Sequence, residues 1–192
     1  TEQLESVLSE FSNKYPQLFN IVGYEKNQGL GFALNFGMQY CKNELIARMD
    51  TDDISLLDRC EAQIKVFEKN PSFNIVGGDI SEFVEEEENV VAYRRVPKED
   101  REIKEYLKTR CPFNHVAVMY KKSAVLSAGG YLDLFWNEDY YLWIRMVEQG
   151  AVMANTGTVL VNVRTGADMY KRRGGRKYFA SEKFLQNYML EH

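Results

Sequence analysis

The stretch from Leu30 to Asp53 constrains the fold more than any other part of the chain. Leu30, Ala33, Leu34, Gly37, Met38 and Cys41 fall at i, i+3, i+4, i+7, i+8 and i+11, the spacing of a helix that buries one apolar stripe. Glu44–Met49 follows as a short run of strand character and ends on Asp50–Thr51–Asp52–Asp53. A helix laid on a strand that closes in carboxylates is a unit of an α/β domain, where ligands sit beyond the strand ends.

The same alternation continues on both sides. Leu4, Val7, Leu8 and Phe11 share one face of a helix over about Leu4–Tyr15, which Pro16 closes. Phe19–Tyr24 reads as a short buried strand, and Asn27–Gly31 as a glycine-containing turn. Ser55 with Asp58 resembles a capping box opening a helix that carries Leu57, Ile64 and Phe67 inward and stops at Asn70–Pro71. Strands are expected at Asn74–Phe83, Val90–Val96, Val116–Tyr120, Ala151–Ala154 and Val159–Arg164. They interleave with helices over Glu99–Lys108, Tyr140–Val147 and Tyr178–Met189. Strand–helix alternation of this kind predicts an α/β domain with a mostly parallel sheet.

Charge and cysteine usage narrow the function. The net charge is −4 and no long basic stripe is present, which argues against nucleic-acid binding, since phosphate neutralisation needs clustered Lys and Arg. Cys41, Cys60 and Cys111 are odd in number and widely spaced, so neither a zinc pair nor a complete disulfide framework is expected. Reduced thiols point to the cytoplasm. No apolar run reaches the ~20 residues of a spanning helix, which leaves peripheral contact with the inner membrane face as the expected route to any lipid.

In an extended segment Asp50 and Asp52 share one side, while Thr51 and Asp53 share the other. Converging carboxylates repel unless a cation lies between them, and magnesium or manganese suits such oxygen ligands. The spacing alone is equally that of a solvated turn whose aspartates complement a helix N-terminus.

The ordered motifs decide between these readings. Asn27–Gln28–Gly29–Leu30–Gly31–Phe32–Ala33–Leu34–Asn35, Ile46–Ala47–Arg48–Met49–Asp50–Thr51–Asp52–Asp53–Ile54–Ser55, Asn114–His115, Gly129–Gly130–Tyr131 and Glu138–Asp139–Tyr140–Tyr141–Leu142–Trp143 stand in this order. The series resembles the family 2 inverting glycosyltransferases over about residues 20–185. The resemblance implies a three-layer α/β/α GT-A fold lacking its N-terminal strand–helix portion, so that half the donor pocket is missing and the fragment by itself binds donor weakly. It divides one domain at 1–189 into a partial nucleotide-binding half (1–70), an acceptor half (71–165) and a basic loop with a helix (166–189). Leu190–Glu191–His192 resembles a tag stub and is set aside.

Carried over by position, Asp139 matches the base that deprotonates the acceptor hydroxyl, and Glu138 is placed to bind acceptor or position Asp139. Asp50 matches the carboxylate near ribose or sugar, Asp52 the ligand of a divalent metal (Mn or Mg), and Asp53 a residue that orients the turn. Asn27, Gly29 and Asn35 match the donor-lining stretch. His115, Arg172 and Arg173 are weaker candidates for acceptor or phosphate contact, the arginines from the basic run Lys171–Lys177. The implied partners are a nucleotide-sugar donor, UDP-linked, and a saccharide or glycolipid acceptor. Two alternatives stay open: a sugar-phosphate nucleotidyltransferase, and a non-catalytic carbohydrate-binding assembly module. A sheet edge left exposed by missing strands would favour a homo-oligomer.

Overall fold

The structure is a computed structural model and describes residues 2–166 and 175–192. Its helices are α1 (Glu2–Lys14), α2 (Leu30–Tyr40), α3 (Arg59–Lys69), α4 (Asp100–Leu107), α5 (Lys122–Ser127), α6 (Glu138–Glu148) and α7 (Arg176–Glu191). Its strands are β1 (Leu45–Ala47), β2 (Ile54–Ser55), β3 (Phe73–Phe83), β4 (Val90–Arg94), β5 (Met119–Lys121) and β6 (Val152–Arg164).

The six strands form one sheet in the order β1-β5-β3-β6-β2, with β4 paired to β3 off that path. Adjacent residues divide the sheet between two cores. Ile75, Tyr120 and Met153 face a large cluster with Met38 of α2, Ile103 and Leu107 of α4, Val125 of α5 and Trp143 of α6. Their neighbours Val76, Met119 and Ala154 face Phe67 of α3. This strict alternation is the period of a strand buried on both faces, and it produces helix, sheet and helix layers.

The sheet is mixed rather than mostly parallel. Among the described residues β3 and β6 run parallel, whereas β1–β5, β2–β6, β3–β4 and β3–β5 are antiparallel. Parallel neighbours require a long crossover, and the chain between β3 and β6 supplies one through α4, α5 and α6. Helical spacing announces such crossovers but not the strand beside which the returning chain docks.

Several local expectations change. Phe19–Tyr24 is not a strand but irregular backbone with Phe19 and Ile21 exposed, because it has no ladder partner among the described residues. The apolar face of α1 is likewise largely exposed, and none of its residues is buried. Ser55 lies in β2, so it opens no helix; α3 starts one turn later behind Asp58, with no side-chain cap. Leu57 and Ile64 point outward, and only Phe67 of the expected inward set is buried. A short 3-10 turn at His115–Ala117 takes the first half of the expected Val116–Tyr120 strand. The two strands expected after Gly150 are the single β6. The set-aside tail continues α7 to Glu191, and His192 stacks on Tyr188.

Candidate functional site

The inward face of α3 is polar, and that is how the acidic turn is held. Arg59 is buried and donates from Nη2 to the carbonyls of Arg48 at 2.6 Å and Val118 at 3.2 Å. Gln63, fully buried, donates to the carbonyls of Val76 and Ala117. These bonds give buried side-chain donors to carbonyls in and beside the strands. They also fix the backbone just before Asp50.

From Asp50 the chain turns instead of remaining extended. The two-residue alternation therefore fails, and the Asp50, Asp52 and Asp53 carboxylates all lie within 4.8 Å of one another. Asp53 joins the group rather than facing away, with Oδ1 accepting from the Arg164 backbone N–H at 3.0 Å. Partial burial, then the charges of Asp52 and Asp50, push its carboxyl up to about 6. Oxygen-only donors carrying surplus negative charge fit a hard divalent cation.

Arg48 is the residue that sequence reasoning missed. Its guanidinium, only 4% exposed, grips Asp50 through both ends, Nη1 to Oδ2 at 2.9 Å and Nη2 to Oδ1 at 2.6 Å. The i, i+2 spacing along an extended strand end was the available signal.

Asp50 and Arg48 line a cleft of about 420 Å³ that also contains His115, Glu138 and Asp139. Asp139 sits in the first turn of α6, which brings its side chain to the Cys111 thiol at 3.9 Å and His115 Nδ1 at 4.0 Å. Burial raises the Asp139 carboxyl above its ordinary value, against the lowering effect of a backbone N–H and of Arg94 and Arg48. Glu138 is raised chiefly by burial as well. Burial holds His115 well below its ordinary value, with Arg48 adding to the effect, so the ring is neutral. Its Nε2 meets the Tyr131 hydroxyl at 3.0 Å.

Trp136 lines the mouth of the same cleft, half exposed, with φ of 60°. A bulky residue in that left-handed region costs about 1–3 kcal/mol and persists where its surroundings dictate it. Arg94, Cys111 and Glu182 also line the cleft and are marked by no local sequence pattern, whereas Asn114, beside them, belongs to the Asn114–His115 motif.

The donor-lining candidates separate. Asn27 Oδ1 accepts from the Gly29 N–H at 2.9 Å, shaping the turn into α2. Gly29 has φ +90° with open space around its missing side chain, and the next residue, Leu30, lines the cleft. The Asn35 amide is instead engaged at both ends: Nδ2 donates to the Tyr131 carbonyl at 2.7 Å and Oδ1 accepts from the Tyr131 N–H at 2.9 Å. Arg172 and Arg173 lie outside the described residues.

Comparison with known proteins gives the family and the fold. The model of the family described as Glycosyl transferase family 2 matches residues 1–127. The chain is 47% identical over 175 residues to an uncharacterized glycosyltransferase of Haemophilus influenzae, covering 91% of this chain and 64% of that protein. It is 39% identical to the amylovoran biosynthesis glycosyltransferase AmsE of Erwinia amylovora, covering 100% and 70%. It is 37% identical to the UDP-Gal:alpha-D-GlcNAc-diphosphoundecaprenol beta-1,3-galactosyltransferase of Escherichia coli, covering 95% and 65%. The chain thus spans about two thirds of the length of these relatives. Among solved structures, S. aureus TarS in complex with UDP-GlcNAc superposes with a TM-score of 0.69 at 12% identity, covering 96% of this chain and 53% of that one. The mannosyltransferase PcManGT of Pyrobaculum calidifontis, in complex with GDP-Man and Mn2+, gives 0.64 at 14%, covering 96% and 57%. These likenesses establish the GT-A-type α/β fold, and the sequence relatives establish the lineage: the chain belongs to glycosyl transferase family 2.

Proposed function

We propose that the protein transfers a sugar from a nucleoside-diphosphate sugar to a hydroxyl of a saccharide or lipid-linked saccharide, with inversion at the anomeric carbon. The observation that carries this reading is the shared cleft: Asp139, a partly buried carboxylate, lines the same space as Asp50, whose carboxylate clusters with Asp52 and Asp53.

Asp139 accepts the proton of the acceptor hydroxyl as that oxygen bonds to the anomeric carbon and the bond to the diphosphate breaks. A base held in place contributes ~10²–10⁴ in rate, and a carboxyl raised by burial is the better proton acceptor near neutrality. Asp52, with Asp53 beside it, would hold a divalent cation. When bound, that ion offsets the charge that grows on the departing nucleoside diphosphate. Asp50 is reserved by Arg48 for the sugar or ribose side. Asn27 and Gly29 shape the entrance from α2. Glu138 lies next to the base on the acceptor side.

The relative from E. coli is named for a UDP-linked donor and a diphosphoundecaprenol-linked acceptor, which supports a UDP-sugar and a glycolipid here; the relative from Erwinia points to polysaccharide assembly. No helix among the described residues is long and apolar enough to cross a membrane.

The test is nucleoside-diphosphate release by the intact gene product, screened across UDP- and GDP-sugars with Mn2+ and with chelator. Release should depend on Mn2+ and vanish in Asp139→Asn while donor binding survives. Turnover unaffected by that substitution would refute the assignment.

A further inference from the structure

The structure assigns to Arg48 a role in the cation site: we infer that it is a positioning residue that claims Asp50 and so sets the charge left for a divalent ion. This rests on the reading of the acidic turn as a cation site.

Three observations carry it. Both Asp50 oxygens are held by the guanidinium in fork geometry, the strongest form of Arg–carboxylate pairing. The arginine is buried while the Asp50 side chain is 43% exposed, so the buried partner dictates where the exposed one points. Arg48 is also fixed from behind, since its own carbonyl receives Arg59 and its backbone N–H donates to Val118 at 3.0 Å.

The consequence is one of charge. Three carboxylates lie within 4.8 Å of one another, and one of them is already matched by a cation of the protein. A divalent ion therefore meets Asp52 and the Asp53 carboxylate, one oxygen of which already accepts the Arg164 N–H, together with a fixed positive charge that opposes it. The opposition keeps the empty turn from holding metal tightly. It also leaves room for the negative charge of a diphosphate to complete the site, the arrangement expected of an ion bound through one or two carboxylates and substrate phosphates.

The experiment is Mn2+ binding to this chain without nucleotide, followed by the loss of free-ion electron paramagnetic resonance signal. Arg48→Gln should tighten Mn2+ about three- to tenfold, because an opposing charge in a partly solvated site is removed. Asp50→Asn should weaken it by a similar factor, since the arginine is then unopposed. The double variant should return to within about twofold of the parent, because the pair carries zero net charge in both proteins and the field at the ion is little changed. Arg48→Lys, which keeps the charge, should also stay within about twofold and covers the case in which Arg48→Gln fails to fold. A merely structural Arg48 predicts weaker binding in Arg48→Gln, in the double variant and in Arg48→Lys; any of these in a folded protein overturns the inference while leaving the cation site intact. A parent chain that binds no Mn2+ overturns both.

Discussion

Asn35→Ala separates two roles for a residue whose sequence position suggests donor contact. Its amide spans from α2 to the loop before α6, donating to the Tyr131 carbonyl and accepting from the Tyr131 N–H at 2.7 and 2.9 Å. Deleting it strands a backbone donor and an acceptor in a part-buried position. Each net hydrogen bond is worth about 1 kcal/mol, more where a group is left unsatisfied, so the loss should be about 2–3 kcal/mol. In a domain of this size that corresponds to a fall in Tm of roughly 5–10 °C. Tyr131 in turn carries His115, its hydroxyl 3.0 Å from Nε2, so the cleft wall beside Asp139 should loosen with it. The assay is urea unfolding paired with donor titration of the intact gene product. A stability change under about 0.5 kcal/mol with a large loss of donor affinity would refute the structural role and return Asn35 to the donor pocket.

Other consequences are equally direct. Asp139→Asn should cut kcat about 10²–10⁴-fold while leaving Tm unchanged or raised, because burial already disfavours the charged carboxyl; calorimetry beside a turnover assay reads both. The raised carboxyl binds its proton more tightly in the folded than in the unfolded chain. Its stabilising contribution is therefore present at low pH and lost as pH rises from the ordinary 3.8 through the folded value. The rate should move the opposite way, falling as pH drops through that folded value, and pH profiles of kcat and Tm check the two signs. Gly77→Ala should destabilise by about 2–3 kcal/mol, since a side chain there would meet the Phe113 ring at 2.7 Å as well as Asn155; denaturant midpoints would show it.

What the sequence made legible follows where its periodicity was clean. Helix α6 turns Tyr140, Trp143 and Ile144 into the core as spaced, whereas of the α2 stripe only Met38 is buried and Leu30 is exposed. The run Asn74–Phe83 is the central β3. Reading failed where polarity and burial part company. α3 buries Arg59 and Gln63 and exposes Ile64, because its inward side chains donate to carbonyls in and beside the strands, which apolar spacing cannot reveal. The acidic turn failed for a different reason: extended alternation was applied one residue too far, past the point where Thr51 bends the chain. Pairing partners in the sheet depend on contacts distant along the chain, so its mixed character was not written in any local window. Cys111, brought 28 positions along the chain to Asp139, is unreadable for the same cause.

The uneven depth of the structure has a consequence for how it opens. No described residue before Gly31 is buried; that segment is tied down by ring contacts, Phe11 on Phe19 and Tyr24 against Phe32 and Phe36. Backbone amides from Glu2 to Gly29 should trade their protons for deuterium long before those of β3, and a protease should nick there first. Local opening of that kind needs no global unfolding, so the acidic turn and the α6 base should keep their protection after the first thirty or so residues have lost theirs.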